Sequence, residues 1–451
     1  MNCCFMKRFL CLIFALAVIL STLTVSAETL TDRLKDGKLS TRKTVKTLTV
    51  QSDTPIDYIY IIFWDEFVPY VVKGADDIEP FSIPHLHHLA TLTQMEGDRK
   101  TLTIEFSKEA TVCDVYTYSG ELPDTVQKWE SGPEKTDLLL FTTHADDEQL
   151  FFAGILPYYA KEKGYRVRVA YFVNHNNNIA RKHELLNGLW EVGITLYPTI
   201  GVYPDAYSES YDGALKNIKS AGYTEDDVLK SQVDLIRLYK PQVVVGHDLK
   251  GEYGHGQHML NAGTLVKAVE LAAKKEPYPE DNLTVWDTPK LYLHLYDQNK
   301  VKLGFLDTPL ESLGGLTPFQ VTQKGFKHHE TQQYTWFRKW LNGANGEIKK
   351  ASQINTYSPA DYGLYRTTVG EDVEKTGFFE NIIPYDEQER IEKEKEEQRK
   401  AEELKAKEEA KKAEENKKNS NKTTVILLIS ACALIILVTV VFNIIIRKRY
   451  R

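Results

Sequence analysis

Cysteine is nearly absent from the part of this chain that could fold as a body. Of five cysteines, Cys3, Cys4 and Cys11 lie in the first apolar stretch and Cys432 in the last, leaving Cys113 alone between them. An intrachain disulfide there is excluded. The fold must be held by its core, and the length allows one large core plus a second small one. A large excess of one sign of charge is also lacking: 56 basic against 63 acidic residues leave a net charge of −7 over 451 residues, and no basic stripe interleaved with aromatics occurs. That argues against a nucleic-acid partner. Missing too is an LPxTG-like motif before the C-terminal apolar run, since Asn419-Ser-Asn-Lys-Thr-Thr424 holds none. A stable membrane anchor is therefore preferred to a wall-sorting signal.

The ends of the chain read as targeting segments. Lys7 and Arg8 precede an apolar run from Phe9 to Leu20, and Val25-Ser-Ala27 offers small residues for cleavage, so 1–27 is expected to be a signal peptide. Residues 423–446 are almost wholly apolar and long enough for a bilayer of roughly 30 Å. Arg447, Lys448, Arg449 and Arg451 follow, so 447–451 is expected to be a cytoplasmic tail, with the body outside the cell. No organellar targeting pattern occurs, and the layout suggests a bacterial surface protein.

Between the ends, composition divides the chain in three. Residues 28–134 are rich in β-branched and aromatic residues with partial period-two alternation at 56–63, 100–106 and 110–118, which predicts a small β-sandwich. Its tyrosines (Tyr58, Tyr60, Tyr70, Tyr116, Tyr118) are read as core or cross-strand packing, with stacking on sugars as the alternative. His85, His87 and His88 are read as a solvated loop, with metal binding as the alternative. Residues 135–386 alternate strand and helix: strands at 137–141, 167–173, 197–202 and 242–245, helices at 148–163, 179–192 and 228–239. This order predicts a Rossmann-like α/β fold, a mainly parallel sheet with helices on both faces. Residues 387–422 are nearly all polar, with Glu and Lys four apart, as in Glu396–Lys400 and Glu414–Lys418. Apolar residues are too sparse for a coiled-coil seam, so a lone charged helical stalk is expected.

Two clusters carry the chemistry. Thr143-His-Ala-Asp-Asp-Glu148 follows the apolar run Leu138-Leu-Leu-Phe141, at the strand end where an open α/β sheet places its site. Gly251-Glu-Tyr-Gly-His-Gly-Gln-His258 comes about 110 residues later. His144 and Asp147 can turn to one point, and His258 completes a three-ligand catalytic zinc set. Asp146 then lies beside the metal as a proton acceptor, and His255 can donate to an oxyanion. Acidic residues opening a helix more often only answer its dipole, and an H-x-x-H pair is usually incidental. Both clusters, each just beyond a strand of one α/β domain, are harder to dismiss. Trp336 and Trp340, one turn apart, are read as core rather than a sugar platform.

The first cluster resembles the (A)HPDDE motif of the PIG-L (LmbE-like) family of zinc-dependent N-acetylglucosaminyl deacetylases, and Glu252 to His258 resembles its EYGHxxH segment. Arg181-Lys-His-Glu184 is similar to its R-x-x-E helix and His329-Glu-Thr-Gln332 to its H-x-S-Q element, so the resemblance spans about Asp137 to Gln332. It implies metal ligands at His144, Asp147 and His258, a general base at Asp146 and a polarising or proton-donating His255. Arg181 and Asp205 would bind substrate, and Glu184 and Glu252 would hold Arg181 and the histidine loop. Three departures stand out. Ala145 replaces proline and could loosen the loop, Gly256-Gln257 replaces Pro-Asp and puts the support of His258 in question, and Thr331 stands for serine.

The reading is a surface-anchored, Zn2+-dependent hydrolase that deacetylates an N-acetylated amino sugar, either a GlcNAc-type glycan or a glycolipid. Another divalent metal is an alternative. Two other functions compete: a carbohydrate-binding adhesion protein on a hydrolase scaffold, and a metal-dependent amidase with another substrate. An adhesion scaffold would have lost a ligand or the base, and none is lost here.

Overall fold

Strands dominate the described residues between Lys43 and Tyr118. The computed structural model describes residues 33–74, 80–132, 134–279 and 283–449, so the expected signal segment 1–27 lies outside the described residues. β1 (Lys43–Gln51), β2 (Tyr58–Phe63), β3 (Tyr70–Lys73), β4 (His87–Thr91) and β5 (Thr101–Tyr118) pair antiparallel throughout. They make one hydrogen-bonded sheet in the order β1-β5-β2-β4, with β3 also on β5, rather than the two sheets of the expected sandwich. The reason is the length of β5. Its 18 residues merge the expected strands 100–106 and 110–118, carrying β1 on one edge and β3 then β2 on the other. Tyr60 faces Tyr116 and Tyr58 faces Tyr118 across the β2–β5 pair, so these tyrosines are cross-strand packing.

His87 and His88 belong to β4 and are buried, as is His85, which corrects the solvated-loop reading. His85 and His87 face the rest of the body, while His88 packs on Phe67 and on Tyr70 of the sheet itself. His87 Nε2 lies 2.8 Å from His183 Nδ1, and the Leu86 N–H donates to Tyr197 Oη at 3.0 Å. One continuous apolar core runs from Val50, Ile61 and Ile104 of this sheet to Leu140, Leu189 and Phe319 beyond it. Composition changes near residue 134, but packing does not stop there. The chain up to Pro384 forms one compact unit.

The second sheet has the order β10-β11-β9-β8-β6-β7. β6 (Leu138–Thr142), β7 (Val167–Tyr171), β8 (Val243–Gly246) and β9 (Lys290–His294) run parallel, and β10 (Lys300–Lys302) and β11 (Asp361–Thr367) add an antiparallel edge. The parallel strands are buried at every position because both faces are covered. Alternation decides which face each side chain joins: Leu138 and Leu140 of β6 enter the large core, while Leu139 and Phe141 enter a separate cluster with Val233 and Leu265. Mixed α/β architecture is thus as expected.

Two expected elements differ. Residues 197–202 touch the sheet by single bridges, Ala170–Thr199 and Val173–Tyr203, instead of forming a full strand. The expected helix 148–163 breaks after α1 (Asp147–Leu150). Gly154 takes φ +87°, and a Cβ there would come within 2.5 Å of Leu306 Cδ2, so a side chain is excluded. Pro157 then lacks the N–H that a regular helix needs.

Tyr385–Arg449 is a single helix of 65 residues, a separate unit. It contains one segment long and apolar enough to cross a membrane. Two expected charge pairs close on it, Glu396–Lys400 at 3.4 Å and Glu414–Lys418 at 3.0 Å.

Candidate metal centre

All four parallel strands end on the same side, and each delivers a histidine there. His144 follows β6, His175 follows β7, His247 follows β8, and His294 is the last residue of β9. β6 lies between β7 and β8, so its loop opens at the point where the chain turns to opposite sides, the usual site in an open α/β sheet. α5, the helix Gly256–Ala272, starts beside it with His255 as its N-cap and His258 in its first turn. (α2, Ala180–Glu191, α3, Tyr211–Ser220, and α4, Glu225–Tyr239, precede it.)

Three donor atoms meet in a triangle. His144 Nδ1, Asp147 Oδ2 and His258 Nε2 lie 3.2 Å from one another on every edge. The remaining ring nitrogens are taken. His258 Nδ1 lies 2.7 Å from Glu252 Oε2, and His144 Nε2 lies 3.2 Å from Gln257 Oε1. Those acceptors place the ring protons away from the triangle, so two imidazole lone pairs and a carboxylate oxygen converge on one point. Such a set repels itself unless positive charge enters. Burial alone would lower the His258 pKa, but Asp147 and Glu252 outweigh it and raise it to about 10. Edges of 3.2 Å suit donors about 2 Å from one zinc-like ion. The donor set fits a metal.

Two other histidines come close. His144, His255 and His258 form one group able to hold an ion, and Asp147, His247 and His258 another. His247 is fully committed, with Nδ1 2.8 Å from Glu252 Oε2 and Nε2 accepting the Thr143 N–H at 3.0 Å. His255 Nδ1 accepts the Gln257 N–H at 3.2 Å, which leaves the proton on Nε2. Burial, with His144 and His258 nearby, lowers the His255 pKa to about 2, so this ring is a neutral N–H donor.

Asp146 is buried, and its Oδ2 has no hydrogen-bond partner among the described residues. Its φ is +128°, a strained backbone for a residue with a side chain, held by its N–H donating to Glu148 Oε2 at 2.9 Å. Burial pushes its pKa up to about 7, against the pull of Arg181. Arg181 Nη2 lies 3.3 Å from Asp146 Oδ1 and donates to the Ala145 carbonyl at 2.5 Å, while Nη1 donates to Asp205 Oδ2 at 3.1 Å. The guanidinium expected to reach substrate is thus largely spent on the protein. Asp205 lies 3.6 Å from both His144 Nε2 and His175 Nδ1. With Arg181, these neighbours outweigh burial and hold its carboxyl below the usual range.

Residues 139–269 match the model of a family described as PIG-L, GlcNAc-PI de-N-acetylase. The match covers 131 of the 451 residues. Two curated relatives are described as deacetylases. The 1D-myo-inositol 2-acetamido-2-deoxy-alpha-D-glucopyranoside deacetylase 2 of Saccharopolyspora erythraea is 30% identical over 132 residues, which is 29% of this chain and 42% of that one. A deacetylase of the same description from Streptomyces avermitilis is 26% identical over 190 residues, 37% and 64% of the two chains. This chain therefore spans less than two thirds of the relatives' length. The N,N'-diacetylchitobiose deacetylase of Pyrococcus horikoshii superposes with 14% identity and a TM-score of 0.36 over 51% of this chain and 84% of that one, too weak a likeness to add to the assignment.

The departures of this chain from the expected motifs acquire partners. Ala145 keeps the N–H that proline lacks and donates it to His175 Nε2 at 2.9 Å, so the loop is tied rather than loosened. Gln257 supports His144 and accepts the Ala206 N–H at 3.1 Å, while His258 is supported by Glu252. Thr331 donates Oγ1 to Glu184 Oε2 at 2.7 Å, so Glu184 anchors that segment and not Arg181. Glu252 is the buried hub. Its oxygens accept from His247, His258, His294 and the Asp248 N–H, which together hold it ionised against burial. Sequence reasoning missed His175, although its place just past a strand end was the signal that had found His144.

Proposed function

We propose that this protein is a metal-dependent N-deacetylase acting on an N-acetylated amino sugar, with zinc as the metal. The observation that carries the reading is the 3.2 Å triangle of His144, Asp147 and His258, with the unpartnered Oδ2 of Asp146 beside it. A metal held there would supply Lewis acidity, lowering the pKa of water and polarising an acetyl carbonyl. Asp146 takes the proton of the attacking water and passes it to the departing amine, a role suited to a pKa near neutrality. A cation close by would keep this carboxylate ionised. Arg181 holds Asp146 in place, and the neutral His255 Nε2–H donates to the oxyanion of the tetrahedral intermediate. Asp205, partly exposed at the rim, orients the sugar, and Arg181 acts on it only through Asp205.

The relatives' names support an amino-sugar substrate. The apolar segment of the C-terminal helix supports a single membrane span, and the basic residues after it support a cytoplasmic C-terminus with the body outside. Full-length protein in detergent should release acetate from N-acetylated glycans or glycolipids, lose that activity to a chelator, and regain it with zinc. Zinc-loaded protein that releases acetate from no member of the panel would refute the proposal.

A further inference from the structure

Among the described residues of the body three large aromatics are exposed, Tyr207, Tyr334 and Trp336, and the first and last border the metal centre. Tyr207 is 61% exposed and packs edge-on against His255, with ring centroids 5.1 Å apart at 86°. Trp336, which opens the helix Trp336–Asn342, is 47% exposed and meets Tyr253 edge-on at 5.7 Å and 84°. Tyr253 in turn meets His255 at 5.4 Å and 81°. A relay of rings therefore runs from Tyr207 through His255 and Tyr253 to Trp336. Its two ends are open to solvent, and its middle is the group placed at the reacting carbonyl.

Both ends keep an open face, although Trp336 also rests on Phe337 at 4.3 Å. Trp340, one turn on, packs on Phe151 and donates its indole N–H to the Thr356 carbonyl at 2.9 Å. Trp129, Trp190 and Trp286 likewise donate theirs to Gln127, Asp124 and Pro241. Trp336 Nε1 has no such partner among the described residues. An exposed aromatic face with an unused donor matches a pyranose, whose C–H face packs on a ring while its hydroxyls accept hydrogen bonds.

We propose that Tyr207 and Trp336 are platforms for the sugar units on either side of the acetamido sugar, which makes the substrate an oligosaccharide or polysaccharide rather than a single sugar on a small headgroup. This rests on the deacetylase reading above and names its substrate class.

The test uses full-length, zinc-loaded protein in detergent and measures acetate release from GlcNAc and from its β-1,4-linked trimer and pentamer. Wild type should prefer the pentamer. Tyr207→Ala and Trp336→Ala should each lower the pentamer-to-monomer ratio of kcat/KM about threefold to tenfold. Tyr207→Phe and Trp336→Phe should restore it, since they keep the ring face. Wild type that hydrolyses all three sugars without length preference overturns the proposal and leaves the deacetylase reading standing. Ratios unchanged by the alanine variants do the same. So does a loss confined to a GlcNAc lipid in phosphatidylcholine vesicles, which would make the rings a lipid contact. No acetate from any sugar or lipid defeats the deacetylase reading, and the platforms with it.

Discussion

Glu252 Oε2 accepts the Nδ1 proton of His258 at 2.7 Å, and this bond selects the His258 nitrogen that faces Asp147. The same oxygen holds His247 at 2.8 Å, and the other holds His294 at 2.6 Å. One buried carboxylate thus sets three rings from three separate segments. Glu252→Gln keeps the shape but replaces an acceptor with an NH2 donor that faces ring N–H groups. Zinc affinity should fall about 10–100-fold, read by competition with a chromogenic chelator. An unchanged affinity would remove Glu252 from the site's support.

Asp146→Asn should separate chemistry from metal binding. The triangle does not include Asp146, so zinc content should stay near one per chain while kcat falls about 10²–10⁴-fold. Metal analysis and acetate release on one sample make the comparison. Loss of metal in this variant, or survival of activity, would contradict the role given to Asp146.

Ala145→Pro restores the residue expected from the family motif, yet it should destabilise this chain. It removes the N–H that His175 Nε2 accepts and leaves a buried acceptor unpaired, a cost of about 1–3 kcal/mol. Chemical denaturation of Ala145→Pro, His175→Leu and the double variant closes a cycle. The proline should cost less in the His175→Leu background, and additive effects would refute the coupling.

Acid should loosen the seam between the antiparallel sheet and the α/β part. Burial is the largest cause lowering the pKa values of His85 and His183 to about 4 and of His87 to about 3, from an ordinary value of 6.5. Below pH 6.5 the unfolded chain takes up protons that the folded one refuses, so stability falls as the pH drops from 6.5 towards 4 and levels off below. Thermal melts of full-length protein across that window measure it. A Tm that is flat from pH 7 to pH 4 would show that these rings are not held neutral.

Much of the site was legible because its chemistry is local in sequence. His144, Asp146 and Asp147 share one loop, His255 and His258 share one helix start, and both follow apolar runs too β-branched or too short to be other than strands. The alternation of β6, buried on both faces, follows from composition in the same way. Distance in sequence hid the rest. His175 serves Ala145 thirty residues away, and Gln257 serves His144 across 113. Nothing in residues 43–118 foretold one sheet in place of two, because that depended on β5 keeping partners along its whole length.

Sequence by itself determined which side chains could bind a metal, where the strands that present them end, and that the chain carries an apolar segment long enough to cross a membrane. Those properties reside in residue type and short-range spacing. Tertiary structure alone decided that Arg181 spends its charge on Asp146 and Asp205, that Glu252 orders three histidines, and that His87 and His88 are buried. Each of these is a contact between segments whose only link is the packed core, and hydrogen-bond partners and desolvation exist only after that core has formed.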